Sequence, residues 1–294
     1  MPAPSARVSR AGLLYGVAAY GLWGLLPLYF KALGGVGPLE VLCHRVLGSA
    51  LLLWGWVWLR SSRQEVRAAL RPRVLALLSL TGLLVASNWL VYIWAVMNGR
   101  VVEASLGYFI NPLLSLALGV VFLRERLRPL AWAAVGLAAA GVGLEAFQQG
   151  GLPWPALALA FSFALYGLLR KLAPVEAALG LAVETALLAP LALAALAWLG
   201  LDGQLAFLRR SGLLDGLLLL AGLITAVPLV CFNRAVRLLP LSTAGFLQYL
   251  APSGQFLLGV LAFREPMPEG RWLAFALIWA ALALFSVDLA RRRG

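Results

Sequence analysis

Three charged or titratable side chains interrupt stretches of the sequence that are otherwise apolar. His44 and Arg45 follow one another in LEVLCHRVLGSA, and Glu184 lies in LAVETALLAP. Such groups are costly in hydrocarbon, so they usually face the interior of a helix bundle or a wet cavity. His44 can titrate near neutral pH, and a buried Glu184 can also hold a proton. We therefore predict that these three residues serve charge or proton coupling.

An ion pair is also expected among these side chains. A contact of Glu184 with Arg45 or with His44 would neutralise both charges at once. The alternative is that the three residues lie near helix ends and extend their polar atoms to lipid headgroups.

Amides and polar aromatic residues in the same apolar runs form a second set of candidates. Asn88 and Tyr92 are four residues apart, which places them on one face of a helix. The residues predicted to line a substrate cavity are Trp23, Asn88, Tyr92, Tyr108, Asn111, Tyr166, Gln248 and Tyr249. The alternative is that they serve helix packing, interhelical hydrogen bonds or an interfacial aromatic belt.

Two prolines, Pro112 and Pro252, lie within apolar runs, close behind these polar residues. A proline inside a helix removes a backbone hydrogen bond, so each is predicted to kink its helix. The freed carbonyls are tolerated where they line a cavity. A kink needed only for packing remains the alternative.

The sequence contains an internal repeat that relates these features. Residues 92–125 return without a gap as residues 232–265, a shift of 140 positions. At this shift Pro112 coincides with Pro252, Glu125 with Glu265, and His44 with Glu184. The repeat predicts two copies of one module, residues 1–147 and 148–294.

No constellation of residues indicates enzyme chemistry. His44 is the only histidine, which excludes a multi-histidine metal site. The acidic residues are scattered, and no phosphate-binding GxxxxGK[ST] pattern occurs. We therefore predict no catalytic residue, no metal and no cofactor, and hence not an enzyme.

The composition requires a lipid environment. The chain has 294 residues, of which 62% are hydrophobic and 12% charged, with a mean hydropathy of +0.90. A soluble domain carries about 25% charged residues. The net charge of +12 comes from short basic clusters between apolar runs, a pattern typical of membrane topology rather than of nucleic-acid binding. We therefore predict that nucleic acid is not a partner.

Runs of about 20 apolar residues predict membrane-spanning helices. We predict an all-α integral membrane protein with ten such helices, at residues 11–33, 39–60, 74–97, 102–123, 129–147, 152–169, 176–200, 212–237, 242–263 and 270–289. Most of the 24 Lys and Arg residues lie in alternate loops, on the side of both termini, which predicts cytoplasmic termini. Five helices per copy is an odd number, so the second copy is expected to enter the membrane inverted, as in many secondary transporters.

The chain resembles the RarD permeases of the EamA group in the drug/metabolite transporter superfamily. The likeness lies in NWLVYIWAV from Asn88, in EASLGYFINPL from Glu103, in the pairs His44-Arg45 and Glu184-Thr185, and in LSTAGFLQYLAPS from Leu241. It covers nearly the whole chain. The resemblance implies ten helices, two EamA repeats, a bacterial inner-membrane location and transport of small molecules, usually outward.

These observations together predict a secondary transporter that exports small metabolites or drugs by alternating access, with proton coupling as one option. The alternatives are a membrane sensor or partner subunit without flux, and a membrane-embedded enzyme that acts on lipid-linked substrates. The expected partners are a small-molecule substrate and the lipid bilayer. A homodimer is a further option, since the small-residue patches at Ala138 and Ala280 suit packing within one chain or between two.

Overall fold

The computed structural model describes residues 9–123, 129–148, 150–239 and 247–291, and within these ranges it contains helices and no strand. The helices are α1 (Arg10–Ala32), α2 (Pro38–Arg60), α3 (Arg63–Ala69), α4 (Pro72–Met97), α5 (Val101–Leu123), α6 (Pro129–Gln148), α7 (Trp154–Leu172), α8 (Ala177–Leu201), α9 (Gly212–Leu238), α10 (Leu250–Leu257) and α11 (Glu269–Arg291). A π-helical turn, Leu258–Ala262, continues α10.

Local sequence sets the helix ends. α2 and α4 each begin at a proline, whose missing N–H costs nothing in the first turn. The side chains of Ser9 and Ser211 accept hydrogen bonds from the first turns of α1 and α9. The short α3 starts with a capping box, in which the Ser62 hydroxyl accepts the Glu65 N–H and the Glu65 carboxylate accepts the Ser62 N–H.

In the part of the chain that the structure describes, seven helices are long and apolar enough to cross a membrane: α1, α2, α4, α6, α8, most of α9 and most of α11. Shorter apolar helices occur at Trp154–Arg170 and Leu250–Ala262. The all-helical, multi-pass membrane class is thus confirmed. Each of the ten predicted runs contains a helix, but the predicted start at 242 lies outside the described residues, so the count of ten spans stays a prediction.

Large apolar side chains cover the outside of the bundle. Leu14, Leu51 and Leu191 are exposed, as lipid-facing residues must be. Trp58 and Trp198, which the repeat relates, are both exposed close to the ends of α2 and α8. Tryptophan at such positions is typical of the membrane interface.

Close helix packing joins the first half of the chain to the second. The most extensive pairs are α6 with α11, α2 with α8, α5 with α7, and α1 with α9. Small residues permit this approach. Gly141 packs against Ala274 and Ile278 of α11, so the small residues of α6 are used for packing within the chain. The predicted homodimer is not tested by this contact and stays a prediction.

The two repeated prolines occupy different positions in their helices. Pro112 lies inside α5, which continues through it. Pro252 lies in the first turn of α10, directly after the turn at Gln248 and Tyr249. A helix readily begins around a proline because the first-turn N–H groups have no intrahelical acceptor.

Candidate functional site

Glu184 is the one carboxylic acid among the predicted coupling residues, and it lies where three helices, α4, α7 and α8, meet. Its side chain is fully buried in α8. The Thr81 hydroxyl of α4 donates a 2.6 Å hydrogen bond to Oε1, and the Tyr166 hydroxyl of α7 donates one of 3.3 Å to Oε2. Nε of Arg170, one turn further along α7, lies 3.6 Å from Oε1. The arrangement is a buried ion pair with two neutral donors, which can hold or exchange a proton.

Arg45 lies in a separate cluster that is mainly aromatic. Its Nε donates a 2.9 Å hydrogen bond to the Thr225 hydroxyl of α9. The guanidinium carbon is 4.1 Å from the centre of the Trp89 ring and 5.9 Å from that of Phe30. These are cation–π distances, and they stabilise the charge only in part.

The predicted contact between Glu184 and Arg45 or His44 is wrong. Each of Arg45 and Glu184 is the eighth residue of its helix. The helices run antiparallel, because the Glu40 carboxylate near the start of α2 accepts hydrogen bonds from the Ala206 and Phe207 N–H groups beyond the end of α8. Helix rise then places the two charges about 10 Å from opposite ends of the bundle. Glu184 pairs with Arg170 instead.

His44 packs against an aromatic ring, within electrostatic reach of the Glu40 and Asp215 carboxylates. Its imidazole is 4.7 Å from the centre of the Phe207 ring. Its Nε2 is buried and makes no hydrogen bond with the described residues. The prediction that His44 carries a coupling proton is untested by these contacts.

Two of the predicted cavity residues, Asn88 and Tyr108, are hydrogen-bonded to each other near Arg45, and a third, Tyr92, packs its ring against that of Tyr108. The Asn88 amide donates to the Leu159 carbonyl (3.0 Å) and to the Ser162 hydroxyl (2.9 Å), and the Tyr108 hydroxyl donates to the Asn88 carbonyl oxygen (3.1 Å). The Tyr92 and Tyr108 rings are 5.6 Å apart, centre to centre. Asn88 therefore joins α4, α5 and α7.

The remaining predicted residues lie in other groups. Tyr166 belongs with Glu184. Trp23 packs against Tyr20 and Phe232, and its carbonyl accepts a 3.2 Å hydrogen bond from the Gln255 amide. Asn111 accepts a 3.4 Å hydrogen bond from Ser115 on its own helix, and Gln248 bonds to the neighbouring Tyr249. The assignment of all eight residues to one cavity stays a prediction.

A cleft of ≈ 680 Å³ opens at the end of the bundle that carries the last turn of α2. It is lined by Leu53, Trp56, Arg60, Ser61, Glu65, Ala68, Pro174, Val175, Glu176, Ala178, Leu179, Leu229, Val230, Arg234 and Leu238. Leu229 lies one turn from Thr225, the hydrogen-bond partner of Arg45. At the rim, hydrogen bonds from the Ser62 N–H and hydroxyl lower the pKa of Glu65, which keeps its carboxylate ionised.

Sequence reasoning missed the partners that complete both clusters. In the sequence, Arg170 is one of two basic residues at the end of an apolar run, as is typical of a membrane loop, and Thr81 and Thr225 carry no signal. Their importance depends on contacts with residues far along the chain, 103 positions away for Thr81 and 180 for Thr225.

The described residues contain no group of three or more His, Cys, Asp or Glu side chains arranged to hold a metal ion. Cys43 and Cys231 are free thiols. The two clusters provide a buried carboxylate that is paired with Arg170 and hydrogen-bonded to two hydroxyl groups, and a buried cation beside aromatic rings.

Comparison with known proteins places the chain among transporters. Residues 10–145 match the EamA-like transporter family. The chain is 48% identical over 291 residues to an uncharacterized transporter of Pseudomonas aeruginosa, covering 96% of this chain and 95% of that protein. It is 49% identical over 292 residues to the protein RarD of Streptomyces exfoliatus, covering 96% and 90%. A solved crystal structure with 22% identity and a TM-score of 0.60 covers 96% of this chain and 98% of its own, which supports the fold.

Proposed function

Since the chain belongs to the EamA-like transporter family, as a RarD-type permease, we propose that it is a secondary transporter that exports small metabolites or drugs by alternating access. Two relatives of nearly the same length, from Pseudomonas aeruginosa and Vibrio cholerae, are named uncharacterized transporters. A membrane transporter of this family works in a lipid bilayer on small-molecule substrates. We propose further that transport uses a proton gradient.

The observation that carries the proposal is the repeat, because its two copies pack in equivalent ways. A shift of 140 residues relates α1 to α7, α2 to α8, α4 to α9 and α5 to α10. The packed pair α1–α9 then has α7–α4 as its counterpart, α1–α10 has α7–α5, and α2–α9 has α8–α4. Inverted repeats that pack in this manner can exchange conformations, so a site between them opens to one side and then to the other.

Local contacts support the same equivalence. Gly107 of α5 approaches Ala156 of α7, and the positions related to them by the repeat, Leu247 and Gly16, also approach each other. A glycine at each of these contacts lets the two helices approach closely. The cleft beside Arg60 and Arg234 is the candidate entrance from the cytoplasmic side, given the predicted topology.

The Glu184 cluster is the candidate coupling site. Glu184 is buried and faces one cation, Arg170, together with two hydroxyl donors. Protonation of the carboxyl would release Arg170 and weaken the contact between α7 and α8. A proton and a conformational change would then be linked through differential binding to two states.

The test is transport by purified protein in proteoliposomes under an imposed pH gradient. Chloramphenicol, aromatic amino acids and other amino acids serve as cargo, and Glu184→Gln is compared with the matched control Glu269→Gln, at an exposed position. We expect flux to follow the pH gradient in the wild type and the control, and to lose that dependence in Glu184→Gln.

Two results would contradict parts of the proposal. Flux that ignores pH in all three proteins would exclude proton coupling and leave a facilitator. Absence of flux for every cargo in the panel would contradict the transport function itself.

A further inference from the structure

Arg45 is a buried cation without an ion-pair partner among the described residues. Its side chain is 6% exposed. Ion pairs of the described residues join Arg100 to Glu103, Arg170 to Glu184, and Arg271 to Glu145, and none includes Arg45. Removing a charge from water costs several kcal/mol when no opposite charge compensates it. Charged side chains inside a membrane protein are therefore functional candidates.

Two hydrogen-bond donors at this place are unused. Nη1 of Arg45 is buried and makes no hydrogen bond with the described residues, and neither does the hydroxyl of Tyr92. Tyr92 is 2% exposed, and its ring centre is 5.8 Å from that of Phe30, the ring that also faces the Arg45 guanidinium. Buried hydrogen-bond donors in folded proteins nearly always have an acceptor. The two donors without one, Nη1 of Arg45 and the Tyr92 hydroxyl, therefore indicate a place for an acceptor from outside the chain.

The walls around these donors are aromatic. Trp89 and Phe30 lie against the guanidinium, and the Tyr108 ring is 5.6 Å from that of Tyr92. Flat apolar surfaces with a few polar atoms are typical of sites for small organic ligands. One cation matches one negative charge, whereas a phosphate group would bring a charge of about −1.5 to −2.

We infer that Arg45 binds a carboxylate group of the transported molecule, and that the substrates are small carboxylates with a flat, apolar body. This inference rests on the proposed transport function. The two carboxylate oxygens accept hydrogen bonds from Nη1 of Arg45 and from the Tyr92 hydroxyl, and the apolar body lies against Trp89 and Tyr108. A carboxylate suits this pair of donors because it has two acceptor oxygens and the opposite charge.

The test uses three probes that share an indole ring and differ in charge: indole-3-acetate, indole-3-acetamide and tryptamine. Their binding to the purified protein in lipid nanodiscs is measured by calorimetry. Because a hydrogen bond to a charged group is worth about 1.5–3 kcal/mol, we expect the acetate to bind the wild type about 10-fold or more tightly than the amide. Tryptamine is expected to bind more weakly than either.

Variants separate the charge from the fold. Arg45→Gln should bind acetate and amide equally, and Arg45→Lys should keep part of the preference. Arg71→Gln removes an exposed positive charge and serves as the matched control, with the wild-type preference expected. Tyr92→Phe removes a hydroxyl and no charge, and should weaken acetate binding by about 2- to 10-fold. If Arg45→Gln does not fold, the acetate affinity of Tyr92→Phe still tests the inference.

The inference is overturned if the wild type binds the amide or tryptamine as tightly as the acetate, if it binds none of the three, or if Arg45→Gln keeps the preference for the acetate. The proposed transport function fails in a different way. Binding of indole-3-acetate without flux in proteoliposomes would leave the Arg45 site intact and contradict transport. Flux of neutral cargo with no charge preference would support transport and contradict the Arg45 site.

Discussion

At the scale of single residues, Glu265, an acidic residue that occurs in both copies of the repeat, caps a helix. Arg124-Glu125 and Arg264-Glu265 occupy equivalent positions in the repeat. The Glu265 carboxylate accepts hydrogen bonds from the Val101 and Val102 N–H groups, at 2.7 and 2.8 Å, and so caps the start of α5. First-turn N–H groups have no partner within their helix, and a carboxylate there is also favoured by the helix dipole. Glu125 lies outside the described residues.

Removal of this cap should destabilise the protein. Glu265→Ala leaves two buried N–H groups without an acceptor, which costs about 1–3 kcal/mol for each unsatisfied group. We therefore expect a lower free energy of unfolding, seen as a lower thermal unfolding temperature of the purified protein in detergent. Glu269→Ala, at an exposed position on α11, is the matched control. Equal unfolding temperatures for the two variants would show that the cap adds nothing.

At the scale of helices, the contact of α2 with α9 depends on the absence of side chains. Gly48 and Gly222 face each other, and a Cβ atom on Gly222 would lie 2.6 Å from the Cα of Gly48. Such a distance lies well inside normal van der Waals contact. Thr225, one turn along α9 from Gly222, is the residue that accepts the hydrogen bond from Arg45. The glycine contact therefore also sets the position of the Arg45 cluster.

A single methyl group tests this contact. Gly222→Ala forces α2 and α9 apart, and overpacking of this kind costs about 1–3 kcal/mol. Gly216→Ala, on the same helix, meets no atom within 4 Å. Since alanine favours a helix over glycine by about 1 kcal/mol, the control should be neutral or stabilising. Thermal unfolding of both variants measures the difference, and a stabilising Gly222→Ala would refute the close approach.

At the scale of the whole molecule, orientation and the number of spans are linked. If ten helices span the membrane, both termini lie on one side, and the loop between α8 and α9 lies on the other. The excess of Lys and Arg on the side of the termini predicts that this side is cytoplasmic. The repeated halves then enter the membrane in opposite directions, which is the premise of the proposed mechanism.

Reporter fusions in a bacterial host decide this topology. A green fluorescent protein fused after Gly294 should fluoresce, because it folds in the cytoplasm. An alkaline phosphatase fused after Gly203, between α8 and α9, should be active, because it folds outside. A phosphatase active after both Gly203 and Gly294 would mean an even number of spans between these residues, where the ten-helix topology has three, and would contradict the inverted repeat.

The sequence by itself determined the class of protein, the position of most helices and the repeat. These are properties of runs along the chain: apolar stretches of membrane length, prolines at helix starts and serine caps. The lipid environment enforces them locally, because every backbone polar group in the membrane must be satisfied within its own helix. The candidate residues Arg45, Glu184, Asn88 and Tyr92 were also found from the sequence, since a polar group in an apolar run stands out.

Only the tertiary structure decided which of these residues meet. Glu184 pairs with Arg170 and Thr81, and Arg45 with Thr225 and Trp89, although the repeat suggested that Arg45 and Glu184 would meet. The physical reason is helix direction. When two antiparallel helices pack, residues at the same position in each helix lie toward opposite ends of the pair. Residues that the repeat relates can therefore touch only near the middle of the helices. The contact partners of each side chain are determined by packing between segments that are distant in the sequence. No local pattern along the chain specifies which of these segments will be neighbours.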